Sequence, residues 1–137
     1  MTVLTSVRMS AKLENLGPFI GSLSNCAKTQ GFGEEEVSRM ELAAEEALVN
    51  VFRYAYPGAP GDVEMICKLE ENRFTIEIMD SGIPFDVTAM PDPKVAGGVY
   101  DREPGGLGIF LMQKVMDEVR YRRENDRNIL TLIIQKD

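Results

Sequence analysis

The sequence predicts an α+β fold, a two-layer sandwich of a mostly antiparallel mixed sheet with helices on one face. Three observations carry this. The segments run in the order β-α-α-β-β-loop-α-β-β. Two pairs of strand-like segments are separated only by short turn-forming stretches, which reads as two hairpins. The helical segments each carry a main apolar stripe, so each has one face to bury. With 137 residues the chain is expected to form one domain over 1–137 and to bury a real core.

Residues 3–9 are rich in β-branched side chains and predict a first strand. Over 13–30, Leu13, Leu16, Phe19, Ile20, Leu23 and Ala27 recur at helical spacing. Pro18 fits the first turn of that helix, and Gly31-Phe32-Gly33 ends it. Glu34, Glu35 and Glu36 then place negative charge where the next helix dipole favours it. That helix is predicted over about 34–55, with Val37, Met40, Ala44, Ala47, Leu48 and Val51 as its stripe. Pro57, Gly58, Pro60 and Gly61 stop it. Strands follow over 62–69 and 73–80, joined by a turn at 70–73. Residues 84–104 have no period and hold Pro84, Pro91, Pro93, Gly97, Gly98 and Pro104. A loop of about 20 residues in a small domain is usually functional, and here it stands where a lid is needed. A helix over 107–116 and a hairpin over 118–123 and 128–135 close the chain.

Composition excludes several function classes. The net charge of −7 argues against direct nucleic-acid binding or an anionic-membrane surface. No run of about 18 apolar residues exists to span a membrane. The start of the chain lacks the pattern of a signal peptide, and the expectation is a cytoplasmic protein. Cys26 and Cys67 lie far apart in the sequence, without C-x-x-C spacing, and read as reduced structural thiols. The chain has no histidine, which removes Ser-His and Cys-His nucleophile pairs, the usual zinc sites and a histidine phosphoacceptor. Any general base is therefore a carboxylate, Lys, Tyr or Cys.

Three motifs carry chemistry. Glu46 and Asn50 are four apart on the second helix and share a face. Asn50 offers a neutral oxygen suited to a hard cation such as Mg²⁺, and Glu46 can take a proton from an attacking hydroxyl. The small Ala43 and Ala47 nearby leave room for a ligand. Asp80, at the end of the apolar strand Phe74–Asp80, puts an acceptor-only carboxylate at the mouth of the core. It suits an amino group such as the exocyclic amine of adenine, while Gly82 allows close backbone approach. Gly105, Gly106, Leu107 and Gly108 lead into an apolar helix whose free N–H groups suit a phosphate. Each motif has an ordinary alternative: a solvated polar face, a plain turn, a flexible hinge. Together they describe a Mg-nucleotide site, and the absence of G-x-x-x-x-G-K-[ST] sets it apart from a P-loop.

In order and spacing, Glu46-Ala47-Leu48-Val49-Asn50, Asp80-Ser81-Gly82-Ile83-Pro84-Phe85-Asp86 and Gly105-Gly106-Leu107-Gly108-Ile109-Phe110-Leu111 resemble the N, G1 and G2 boxes of the GHKL ATPases. The form with Pro84-Phe85-Asp86 is similar to the anti-sigma factor serine/threonine kinase branch, and the likeness covers about 10–135. It implies the Bergerat ATP-binding fold and a small cytoplasmic dimer. That dimer binds ATP or ADP with Mg²⁺ and phosphorylates a STAS-domain anti-anti-sigma partner, and many such proteins also hold a sigma factor. The resemblance makes Glu46 the catalytic base, Asn50 the Mg²⁺ ligand and Asp80 with Gly82 the adenine site. It places Gly105, Gly106, Leu107 and Gly108 along the phosphates. Two other readings stand beside it: a nucleotide-binding or degenerate module that regulates a partner without phosphoryl transfer, and the ATPase part of a sensor histidine kinase acting on a separate protein.

Overall fold

The computed structural model describes residues 2–89 and 106–136. The segments with strand periodicity all enter one five-stranded sheet: β1 (Thr2–Ser10), β2 (Asp62–Glu70), β3 (Arg73–Asp80), β4 (Glu118–Glu124) and β5 (Arg127–Gln135). Their order across the sheet is β1-β2-β3-β5-β4. The sheet goes further than expected, because all four pairings are antiparallel and none is parallel among the described residues. The helices are α1 (Leu16–Thr29), α2 (Glu34–Tyr54) and α3 (Gly106–Val115). A 3-10 turn at Leu13–Asn15 leads into α1, so the helix proper begins later than its apolar spacing suggests. The expected lid over 84–104 is described only to Ala89, where Val87–Ala89 forms a single 3-10 turn. The rest of it lies outside the described residues.

Alternation along the strands decides the layering. Val63, Met65 and Cys67 of β2, Phe74, Ile76 and Ile78 of β3, and Leu130, Leu132 and Ile134 of β5 point to the helices and are buried. Phe19, Leu23 and Ala27 of α1, Met40, Ala44 and Leu48 of α2, and Ile109 and Met112 of α3 meet them. Ala43 also lies fully buried in this core. The tip Asn125-Asp126 has φ of 53° and 61°, the left-handed pair that closes a two-residue hairpin with the twist of its strands.

No described helix covers the other face of the sheet. There Met79, Ile129 and Ile133 are still buried, because long charged side chains lie across them. Lys68 pairs with Glu77 at 2.8 Å, and Arg127 reaches Glu64 and the Met79 sulfur, both at 3.4 Å. No described helix is long and apolar enough to cross a membrane.

Cys26 of α1 and Cys67 of β2, distant in sequence, meet in the core within hydrogen-bonding reach. Burial pushes the Cys67 thiol up to about 12 and raises Cys26 as well. Both are therefore protonated and poorly nucleophilic, which fits a structural role.

Candidate functional site

The three motifs meet at one end of the sandwich, where α2 ends, β3 ends and α3 begins. On α2, Asn50 is 3% exposed. Its Nδ2 donates to the Glu46 carbonyl at 2.8 Å, one turn back. Its Oδ1 is buried and accepts from no group among the described residues. A buried acceptor without a donor costs about 1–3 kcal/mol, so this oxygen awaits a partner that the described residues do not supply. A cation fits it. No cluster of three or more acidic, Cys or His side chains that could hold a metal occurs among the described residues. Mg²⁺ takes few protein ligands and completes its octahedron with water and phosphate oxygens.

Glu46 is half-buried beside the start of α3. A Cβ built on Gly108 would lie 1.9 Å from its Oε2, so only glycine lets the helix start pass this close to the carboxylate. Burial raises the Glu46 pKa, the neighbouring Glu45 charge adds to this, and Arg53 partly opposes it. A raised carboxyl pKa moves the group toward the working range of a general base. α3 begins at Gly106, with Leu107 and Gly108 in its first turn, and the first N–H groups of a helix have no intrahelical acceptor, which suits an anion. Gly105 lies outside the described residues.

Asp80 ends β3 at 6% exposure. Its Oδ1 accepts from Gly82 N–H and from Asn128 Nδ2, each at 2.9 Å. The turn after it is tied to the end of α2: Ile83 N–H donates to the Ala55 carbonyl at 2.9 Å, and Ser81 N–H to the Tyr56 hydroxyl at 2.8 Å. The same hydroxyl donates to the Asp62 carbonyl at 2.5 Å, joining the turn to β2. Gly82 packs so tightly that a Cβ there would lie 2.1 Å from the Ala55 carbonyl oxygen.

Asp80 and Asn50 line one small cavity with Ala47, Phe85, Tyr121 and Asn128. Its volume is about 30 Å³, room for one water. The Phe85 ring lies against Tyr54 with centroids 5.3 Å apart and planes 25° apart. The cavity is thus well below the roughly 300–1,000 Å³ of a typical small-molecule site. A larger hollow of about 650 Å³ lies on the other side of the turn. It contains Asp80 but neither Glu46 nor Asn50, and its Arg8 and Arg127 are already paired with Asp62 and Glu64. The smaller cavity is therefore the one that joins Asn50 to Asp80, and Glu46 lines neither hollow.

The sequence profile of the "Histidine kinase-like ATPase domain" matches residues 9–134. The chain belongs to that family. Among curated relatives, "Serine-protein kinase RsbW" of Bacillus thuringiensis (strain Al Hakam) is 27% identical over 139 aligned positions, covering 96% of this chain and 85% of the relative. The Bacillus anthracis protein of the same name is 25% identical over 136, with the same coverage. Among solved structures, the RsbU and RsbW domains of a Mycobacterium tuberculosis protein superpose with a TM-score of 0.66 at 12% identity, over 96% of this chain and 32% of that one. This chain thus spans about a third of that longer one. The SiaB–SiaC complex from Pseudomonas aeruginosa superposes at 0.64 and 13% identity, over 97% of this chain and 90% of that one. These likenesses support the α+β sandwich expected of this ATPase family.

Sequence reasoning missed Asn128 and Tyr56. A signal for Asn128 existed: a lone amide at the start of an otherwise apolar strand, which antiparallel pairing with β3 sets opposite Asp80. Tyr56, in a Pro/Gly loop, carried no such signal.

Proposed function

We propose that this chain is an ATP-dependent protein serine/threonine kinase that phosphorylates a STAS-domain anti-anti-sigma partner and, as a homodimer, sequesters a sigma factor. The observation that carries the nucleotide part is the buried Oδ1 of Asn50, which has no donor among the described residues and lies one helical turn from Glu46 and in the same cavity as Asp80. The names of the Bacillus relatives support the kinase part.

Held by Asn50 Oδ1, Mg²⁺ would supply neutralisation of the charge on the transferred phosphoryl group. The chain's own residues do the rest. Asn50 Oδ1 holds the cation. The Asp80 oxygen not engaged by Gly82 and Asn128 accepts from the adenine amine. The N–H groups from Gly106 to Gly108 face the phosphates. Glu46 takes the proton of the serine or threonine hydroxyl as its oxygen bonds to phosphorus and ADP leaves.

The test is a thermal melt with ADP or ATP, with and without Mg²⁺, on wild type and Asp80→Asn. Ligand at 100 times its dissociation constant adds about 2.7 kcal/mol of stability, a clear upward shift. Wild type is expected to shift and Asp80→Asn not to, because an amide at this position can present a donor to the amine where a carboxylate can only accept. Equal shifts in both proteins would remove Asp80 from the base site. Labelled ATP with a STAS-domain partner then separates transfer from binding alone: a nucleotide-binding chain that never labels the partner is a module that acts without phosphoryl transfer.

A further inference from the structure

Asn128 is buried at 5% exposure, and every polar atom of its side chain is in use. Its Nδ2 donates to Asp80 Oδ1 at 2.9 Å and to the Ile83 carbonyl at 2.7 Å. Its Oδ1 accepts from the Tyr121 hydroxyl at 2.5 Å, Arg123 Nη1 at 3.2 Å and Phe85 N–H at 3.3 Å. Two acceptors on one side and three donors on the other admit only one orientation of the amide. That orientation matters at Asp80. A flipped amide would aim its oxygen at the carboxylate, and a free carboxylate would turn its two oxygens at will. Instead Oδ1 is committed to Gly82 N–H and Asn128, and the other oxygen is left outside both bonds. Through Ile83 and Phe85 the same amide also fixes the chain that walls the cavity.

We infer that Asn128 is the positioning residue that sets base selectivity: it holds Asp80 so that the site takes a purine bearing a 6-amino group and rejects one bearing a 6-carbonyl. A carboxylate oxygen held in place accepts from an amine and repels a carbonyl oxygen. A carboxylate free to rotate, or protonated, loses that discrimination. The inference rests on the nucleotide reading above and deepens it.

The experiment is calorimetric binding of ADP and of inosine 5′-diphosphate, both with Mg²⁺, to wild type, Asn128→Leu and Asn128→Thr. Wild type should prefer ADP by about tenfold or more, the scale of one hydrogen bond to a charged group. Asn128→Leu should bring the two within about twofold. Asn128→Thr, which keeps a hydroxyl donor toward Asp80, should retain most of the preference. If Asn128→Leu does not fold, Tyr121→Phe removes one donor that orients the amide and should lower the ratio part-way. Asn128→Leu or Tyr121→Phe with the wild-type ratio overturns the inference even if both nucleotides bind more weakly, since a merely structural role weakens them equally. Wild type that binds neither nucleotide overturns the nucleotide reading itself, and this inference with it. Wild type that binds both equally overturns only the selectivity.

Discussion

Glu46→Gln should leave ADP binding within about twofold of wild type and lower phosphoryl transfer to a protein hydroxyl by about 10²–10⁴-fold, the usual contribution of a positioned general base. The substitution keeps the shape that fits against Gly108 and removes only the ability to accept a proton. The pH profile gives a second signature. Burial and the Glu45 charge hold the Glu46 pKa above the ordinary glutamate range. Only the ionised carboxylate accepts the proton, so transfer should fall as pH drops through that raised value. The acid limb should therefore sit higher than an exposed glutamate would place it. In Glu46→Gln the residual rate should show no limb from this group. Single-turnover transfer from labelled ATP, measured across pH, checks both. Transfer at the wild-type rate in the glutamine variant would show that another group, or none, takes the proton.

Gly82→Ala is expected to be the most damaging single methyl in the site. Its Cβ would meet the carbonyl oxygen and carbon of Ala55 at 2.1 and 2.5 Å, and these are backbone atoms at the end of α2 that no rotamer change moves away. Relief requires the turn after Asp80 to lift from α2, breaking the bond from Ile83 N–H to Ala55 and weakening that from Ser81 N–H to Tyr56. Overpacking of this kind costs about 1–3 kcal/mol, and the strained hydrogen bonds add to it. For a chain of this length the melting temperature should drop by about 5–10 °C. Nucleotide should restore little of it, because the displaced turn carries Asp80. A melt at the wild-type temperature with a normal nucleotide shift would show that the turn has slack the geometry denies. Gly108→Ala offers a contrast, since the atoms it meets first belong to the Glu46 side chain, which can swing away. It should cost less in stability and more in transfer.

The parts of the fold legible in the sequence were those decided by local period. The alternation of Phe74, Ile76 and Ile78, the stripe of α2 and the glycine stop after α1 each fix an element without reference to the rest of the chain. Glu46 and Asn50 lie on one face because four residues are about one turn. What could not be read depended on sheet order. Asn128 matters only because β5 pairs with β3 and sets it opposite Asp80, 48 residues away. Cys26 and Cys67 looked unrelated, and α1 lying over β2 makes them neighbours. Ala43 and Ala47 looked alike as small residues near a ligand; Ala47 lines the cavity and Ala43 is packed in the core.

The β3–β5 pairing has a consequence for how the molecule is assembled. Strands β1, β2 and β3 build outward with α1 and α2, while β4 and β5 close as a local hairpin beside α3. The sheet becomes whole only when the later segment zips onto the earlier one, a join between residues far apart in the chain and thus the slow kind to form. The small cavity straddles that join, with Ala47, Asn50 and Asp80 from one side and Tyr121 and Asn128 from the other. A nucleotide bound there, as proposed, would be a rivet through two pieces distant in the chain. It should slow amide exchange most along the β3–β5 ladder, and least in the β2–β3 hairpin, which the join does not hold together.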